Sequence, residues 1–206
     1  MEKHVVVRTL RRAVMTIGLT AISVGAVAGT AGDARAQPAV GYQYRVLATN
    51  RTSTMEKELN EAAESGFRFQ AVMGGETVGG NEVVVVMVRR ADLKAQVAYK
   101  LLATSKTSTM ERELQNAADQ GFEYRGQTVF KSAFGGEEVV CILERDGSAE
   151  RMRSTYRLLA TTKTSTLESE LQTAGAAGYL LVGMTVGKTA MGGKELVAIV
   201  RRGGQP

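Results

Sequence analysis

Tyr44-Arg-Val-Leu-Ala-Thr-Asn-Arg-Thr-Ser-Thr-Met-Glu56 is followed by two near-copies of itself. The second is Tyr99-Lys-Leu-Leu-Ala-Thr-Ser-Lys-Thr-Ser-Thr-Met-Glu111, and the third is Tyr156-Arg-Leu-Leu-Ala-Thr-Thr-Lys-Thr-Ser-Thr-Leu-Glu168. The offsets are 55 and 57 residues, and self-similarity at a near-fixed period marks a tandem-repeat architecture. Gly66, Gly121 and Gly178 keep the same register, as do the pairs Gly79-Gly80, Gly135-Gly136 and Gly192-Gly193. Three repeats follow, over residues 42–90, 97–145 and 154–202.

Each repeat reads as β-α-β-β. Tyr42, Tyr44, Val46 and Ala48 point one way with Gln43 and Arg45 opposite, and Val97, Tyr99, Leu101 and Ala103 share one face in the second copy; alternation marks a strand. A hydroxyl-rich loop leads into a helix whose apolar residues, Met55, Leu59, Ala62 and Ala63, form one stripe. Ser53-x-x-Glu56, Ser108-x-x-Glu111 and Ser165-x-x-Glu168 fit a capping box. Gly66, Gly121 and Gly178 stand where a helix wants a residue of positive φ just past its end. A second strand is expected to place Phe67, Phe69, Ala71 and Met73 on one face. The third strand, Val83 to Val88, is apolar without alternation, as are Val139 to Leu143 and Leu196 to Val200; such runs suggest burial on both faces. One helix covers only one face of a three-stranded sheet, and a unit of about 55 residues is marginal alone. We therefore expect an α+β fold of three tandem repeats, each a three-stranded sheet with one helix, packed as one body. The third strand should lie between the other two and antiparallel to both, as in half of a ferredoxin-like fold.

Glu58-Leu59-Asn60 through Gly66-Phe67 resembles the core motif of the small DUF4177-type domain of unknown function. Glu113-Leu114-Gln115 through Gly121-Phe122 and Glu170-Leu171-Gln172 through Gly178-Tyr179 resemble it too, so the resemblance spans about residues 42–202. Trp is usual after that Gly in the family; Phe67, Phe122 and Tyr179 stand there instead. The resemblance implies a small α+β fold and no activity.

The first 36 residues read differently. Lys3, Arg8, Arg11 and Arg12 precede an uncharged, mostly apolar stretch from Ala13 to Ala28, and Ala34-Arg35-Ala36 supplies a small-x-small cleavage pattern. This is the layout of a cleaved signal peptide, and the stretch falls short of the ~20 residues a membrane span needs. Export to the periplasm or the outside is expected, by the general or the twin-arginine route. No stable membrane span is expected after cleavage. Of the 26 basic and 21 acidic residues in the chain, five basic (Lys3, Arg8, Arg11, Arg12, Arg35) and two acidic (Glu2, Asp33) lie in this segment. The remainder, 21 against 19, carries a net charge of +2, which is no footprint for nucleic acid.

The only His is His4 and the only Cys is Cys141. The exported part thus lacks the commonest general base and metal ligand, and one Cys forms no intramolecular disulfide. Cys141 matches Val85 and Ala198 in the repeats and reads as a small core residue. No catalytic residue, metal site or cofactor is expected.

The candidate ligand-binding residues are Arg51, Thr52, Ser53, Lys106, Thr107, Ser108, Lys163, Thr164 and Ser165. They set a base beside hydroxyls at each helix N-terminus, where backbone donors and the helix dipole favour anions. Capping and loop closure account for the same residues without a ligand. Gly187-Lys188-Thr189 is no P-loop, because Gly183 stands one residue too close. Glu82, Glu138 and Glu195 recur beside a turn; converging, they would suit a hard cation, but exposed turn positions explain them. Arg89-Arg90, Glu144-Arg145 and Arg201-Arg202 read as solvated strand ends that blunt sheet edges. The function expected is a non-catalytic binding or structural module of the cell envelope, with an envelope polymer or a protein as possible partner. The alternatives are a receptor for a small polar ligand or anion at the hydroxyl loops, and a hydrolase working without His.

Overall fold

The computed structural model describes residues 41–91, 96–104, 106–131, 137–148, 153–188 and 193–203. The signal peptide expected over 1–36 lies outside them. The first repeat comprises β1 (Tyr42–Thr49), α1 (Thr52–Glu64), β2 (Arg68–Thr77) and β3 (Gly80–Arg90). The second comprises β4 (Val97–Thr104), α2 (Thr107–Asp119), β5 (Glu123–Lys131) and β6 (Glu137–Asp146). The third comprises β7 (Thr155–Thr161), α3 (Thr164–Ala176), β8 (Leu180–Lys188) and β9 (Lys194–Arg202). Each repeat forms its own three-stranded sheet, in the orders β1-β3-β2, β4-β6-β5 and β7-β9-β8. The hairpin strand is central and antiparallel to both neighbours in every sheet.

The helices end as their glycines require. Gly66, Gly121 and Gly178 have φ of 83°, 84° and 80°. Gly66 N–H donates to Ala63 O at 2.8 Å and Phe67 N–H to Ala62 O at 3.1 Å, which is the paired closure of a Schellman motif.

The helix starts depart from the capping-box expectation. Arg51, Lys106 and Lys163 are the N-caps, in extended conformation and without a side-chain cap, and no acidic residue lies in any first turn. The loop is held one step earlier. Thr49 Oγ1 accepts the Arg51 N–H at 3.2 Å, Thr104 that of Lys106 at 3.1 Å, and Thr161 that of Lys163 at 3.3 Å. A hydroxyl bonding the backbone two residues on makes such a turn without the capping box.

A one-residue bulge corrects the second-strand expectation. The pairing with the central strand shifts between Phe69 and Ala71, between Tyr124 and Gly126, and between Leu181 and Gly183. An extra residue in a ladder reverses the facing of all that follow it. Val72 consequently joins the core, while Met73 is exposed.

The repeats stack as alternating layers. Met55, Leu59, Ala62 and Ala63 of α1 pack on Val83, Val85 and Met87 of their own sheet. They also pack on Tyr99, Val140, Ile142 and, in part, Leu101 of the next sheet. Met110, Leu114, Ala117 and Ala118 of α2 repeat this between Cys141 and Leu143 on one side and Tyr156, Ile199 and Leu158 on the other. Beside each helix the second strands of neighbouring repeats meet directly, β2 on β5 and β5 on β8. Residues 39–206 are one compact unit.

Burial on both faces holds for β6, where Val140 to Leu143 are all buried, and for β9, where Val197 to Val200 are. It fails for β3. Val83, Val85 and Met87 are buried, but Val84, Val86 and Val88 on the opposite face are only half-buried. Among the described residues no helix of another repeat packs on that side.

Candidate functional site

Among the residues expected to bind a ligand, Arg51, Ser53, Lys106, Lys163, Thr164 and Ser165 are exposed, whereas Thr52 and Thr107 are half-buried. Ser108 lies in the first turn of α2. The loops are not gathered into one cleft. Lys106 and Thr107 line a cavity between the second and third repeats, whose described lining includes no residue of the other two loops. Thr107 Oγ1 donates to Glu195 Oε1 across that boundary. The cavity measures about 20 Å³, enough for a single water rather than an organic ligand. Gln127 also lines it, and Gln127 Nε2 is buried without a hydrogen-bond partner among the described residues. Glu82 takes the Thr77 hydroxyl within its own hairpin. Among the described residues no three His, Cys, Asp or Glu come together as a set able to hold a metal ion.

The recurring polar residues work at the junctions between repeats. Among the described residues the outer edge of each first strand has no strand beside it, and unpaired edge donors need partners. Glu56 Oε2 accepts the Leu101 N–H at 2.8 Å. Asn60 accepts the Tyr99 N–H at 2.9 Å and donates to Tyr99 O at 3.0 Å. Glu111 and Gln115 treat the third repeat alike, accepting the Leu158 N–H at 2.9 Å and the Tyr156 N–H at 3.1 Å. The supposed capping Glu therefore closes the edge of the following repeat. The Tyr of that repeat answers in the opposite direction: Tyr99 OH accepts the Phe69 N–H at 2.7 Å, and Tyr156 OH accepts the Tyr124 N–H at 2.9 Å.

One position in each junction carries charge, and its sign alternates. Glu144, 3% exposed, takes Arg68 of the first repeat, Arg125 at 3.1 Å and the Tyr99 hydroxyl at 2.6 Å. Burial pushes the Tyr99 phenol far above its ordinary range, and the Glu144 carboxylate adds to the shift. Bonding to Glu144 raises the Arg68 guanidinium against the opposing effect of burial. Arg201 occupies the position of Glu144 in the third repeat and faces Glu123 of the second at 3.6 Å. The expectation of solvated strand ends fails here, since Glu144 and Arg201 are buried. Their neighbours Arg89 and Arg145 are half-buried and Arg202 is exposed, and all three stack on rings. Arg45 and Arg89 sandwich the Phe67 ring at 4.6 and 4.9 Å from its centroid. Lys100 and Arg145 flank Phe122, and Arg157 and Arg202 flank Tyr179. Such cation–aromatic stacking covers the ring edge of each sheet.

Among the described residues, two faces lack the partner that the interior junctions supply. Tyr44 is 65% exposed, whereas its equivalents Tyr99 and Tyr156 are each 3% exposed. Val46 and Met73 are exposed on the same side of the first sheet. At the other end Leu180, Leu181, Met184 and Val186 of β8 are exposed. Glu168 and Gln172 of α3 are exposed there too, and Leu171 is half-buried where Leu59 and Leu114 are fully buried. Sequence reasoning missed these faces. The signal was present in the aligned repeats: Arg68, Glu123 and Leu180 share one position, and Val88, Glu144 and Arg201 share another. The chain matches no protein-family profile, no curated protein and no solved structure.

Proposed function

We propose that this chain is a non-catalytic, exported scaffold of the cell envelope that engages a partner through its bare sheet and helix faces. The observation that supports this is the employment of its chemically capable side chains. Glu56, Glu111, Glu144 and Tyr99 are engaged in joining repeats. The Cys141 thiol is fully buried, and burial pushes it up to about 12, so it is no nucleophile near neutral pH. Nothing beyond His4 supplies an imidazole. The DUF4177-like motif adds the fold and no activity.

A panel of ester, peptide, glycoside and phosphate substrates, incubated with the purified chain, should show no turnover. Turnover abolished by Lys106→Ala or Thr107→Ala would overturn this reading in favour of the hydrolase. Melting in the presence of inorganic phosphate or nucleotides tests the anion receptor, for which a rise in Tm is required. Co-sedimentation with isolated peptidoglycan tests a polymer partner.

A further inference from the structure

We infer that the two bare faces are complementary and that copies of this chain assemble head to tail. In that assembly α3 and β8 of one copy dock on the exposed face of the β1-β3-β2 sheet of the next. The inference deepens the scaffold reading by naming a second copy as the occupant.

The two interior junctions define the interface, and the ends carry the groups that close its strand edges. The upstream side needs a Glu and an amide side chain one helical turn apart, as Glu56 with Asn60 and Glu111 with Gln115. α3 offers Glu168 and Gln172 with the same spacing, both exposed. The downstream side needs a first strand with an open edge and a Tyr whose hydroxyl takes a backbone N–H. β1 offers Tyr44, and the N–H to be taken is that of Leu181.

Charge supports the same pairing. The first repeat presents Arg68 to Glu144, and the second presents Glu123 to Arg201. These signs forbid misordered stacking: the second repeat on a copy of itself would bury Glu123 beside Glu144, and the first on the third would bury Arg68 beside Arg201. Like charges brought together in a buried site are strongly disfavoured. At the ends the same positions hold Leu180 and Val88, so their meeting buries no unpaired charge.

Volume supports it independently. A Cβ at Gly126 would stand 2.8 Å from Phe69 Cζ, and one at Gly183 would collide with the Tyr124 hydroxyl. Both interior junctions thus set glycine against a large aromatic ring. At the ends the glycine position holds Ala71, and the ring position holds Leu181, which lacks the ring tip that would strike it. The two exceptions offset each other only if the ends meet. A contact between different faces of identical chains is heterologous and gives a ring or a filament.

Sedimentation of the full chain should give a mass that rises with concentration. Val88→Glu and Leu180→Arg each place a charge on one end, and each should weaken association by about tenfold or more. Mixed, the two variants recreate the Arg68–Glu144 arrangement between chains, and the mixture should associate where neither variant does alone. Unchanged circular dichroism shows that each variant remains folded. A wild-type chain that stays monomeric at every attainable concentration overturns the inference, and so does a mixture that stays monomeric while the wild type associates. Amide exchange showing β1 protected within a monomer by residues 1–40 also overturns it, with the chain's own N-terminal segment as the occupant. A monomeric but inactive protein leaves the scaffold reading intact, whereas turnover by an assembling protein removes only that reading.

Discussion

The junction between the first and second repeats and that between the second and third share one plan and differ in how their polar parts are filled. Both insert a helix between two sheets and close the next strand's edge with a Glu and an amide. The first adds a buried carboxylate shared by two guanidiniums and a phenol. The second has a longer ion pair of opposite sense, with Arg201 also bonded to the Tyr156 phenol, and among the described residues leaves Gln127 Nε2 without a partner beside a small cavity. The shared part is common to both junctions, and the differing part gives each its own charge pairing.

The largest effects should come from the shared part. Leu59→Ala in α1 and Leu114→Ala in α2, both fully buried, should each cost about 2–5 kcal/mol. Urea denaturation should give one transition for either variant; separate transitions would show that the repeats melt independently and would break the equivalence. The differing part should separate the junctions. Glu144→Gln should cost about 2–3 kcal/mol, less than for a fully buried pair because Arg68 and Arg125 are about a third exposed. Arg201→Gln should cost about 1 kcal/mol, as its ion pair with Glu123 is long, at 3.6 Å. Equal losses would refute the distinction. Arg68→Glu combined with Glu144→Arg should recover part of the loss of either change alone, read as a coupling energy in a double-mutant cycle.

Smaller effects test fit and titration. Gly126→Ala and Gly183→Ala force a ring tip aside and should cost about 1–2 kcal/mol each, measured as a fall in the urea midpoint at unchanged m-value. Cys141 lies in the core beside α2, where Val85 stands at the matching place in the first repeat. Burial raises its thiol from 9.0 to about 12. The native thiol stays protonated where the unfolded one ionises, so its contribution is full below pH 9 and is lost as pH rises toward 12. Tyr99, Tyr124 and Tyr156, also raised by burial from 10.0, steepen the same alkaline decline. Cys141→Ala should make the pH dependence of stability shallower above pH 9; an unchanged slope would show that the thiol does not contribute.

What could be read in the sequence was whatever is decided within one repeat. The period of the copies, the order of elements, the central place of the hairpin strand and the glycines of positive φ all follow from local pattern. The misreadings lie where a neighbouring repeat intervenes. Glu56 sits three residues after Ser53 and satisfies a local rule, yet the open edge of β4 takes its carboxylate. Val83 to Val88 has the same apolar character as Val139 to Leu143, but its second face meets no helix of another repeat among the described residues. The bulge at Gln70 is invisible because the alternation it interrupts continues unbroken in the letters. The hydroxyl loops attracted attention by their sameness, and that sameness reflects one turn built three times.

The direction of the stack has a further consequence during synthesis. Every helix is made before the strand that will lie against its far side. A nascent chain emerging N-terminus first therefore always ends in an unfinished surface, made whole only when the next fifty or so residues arrive.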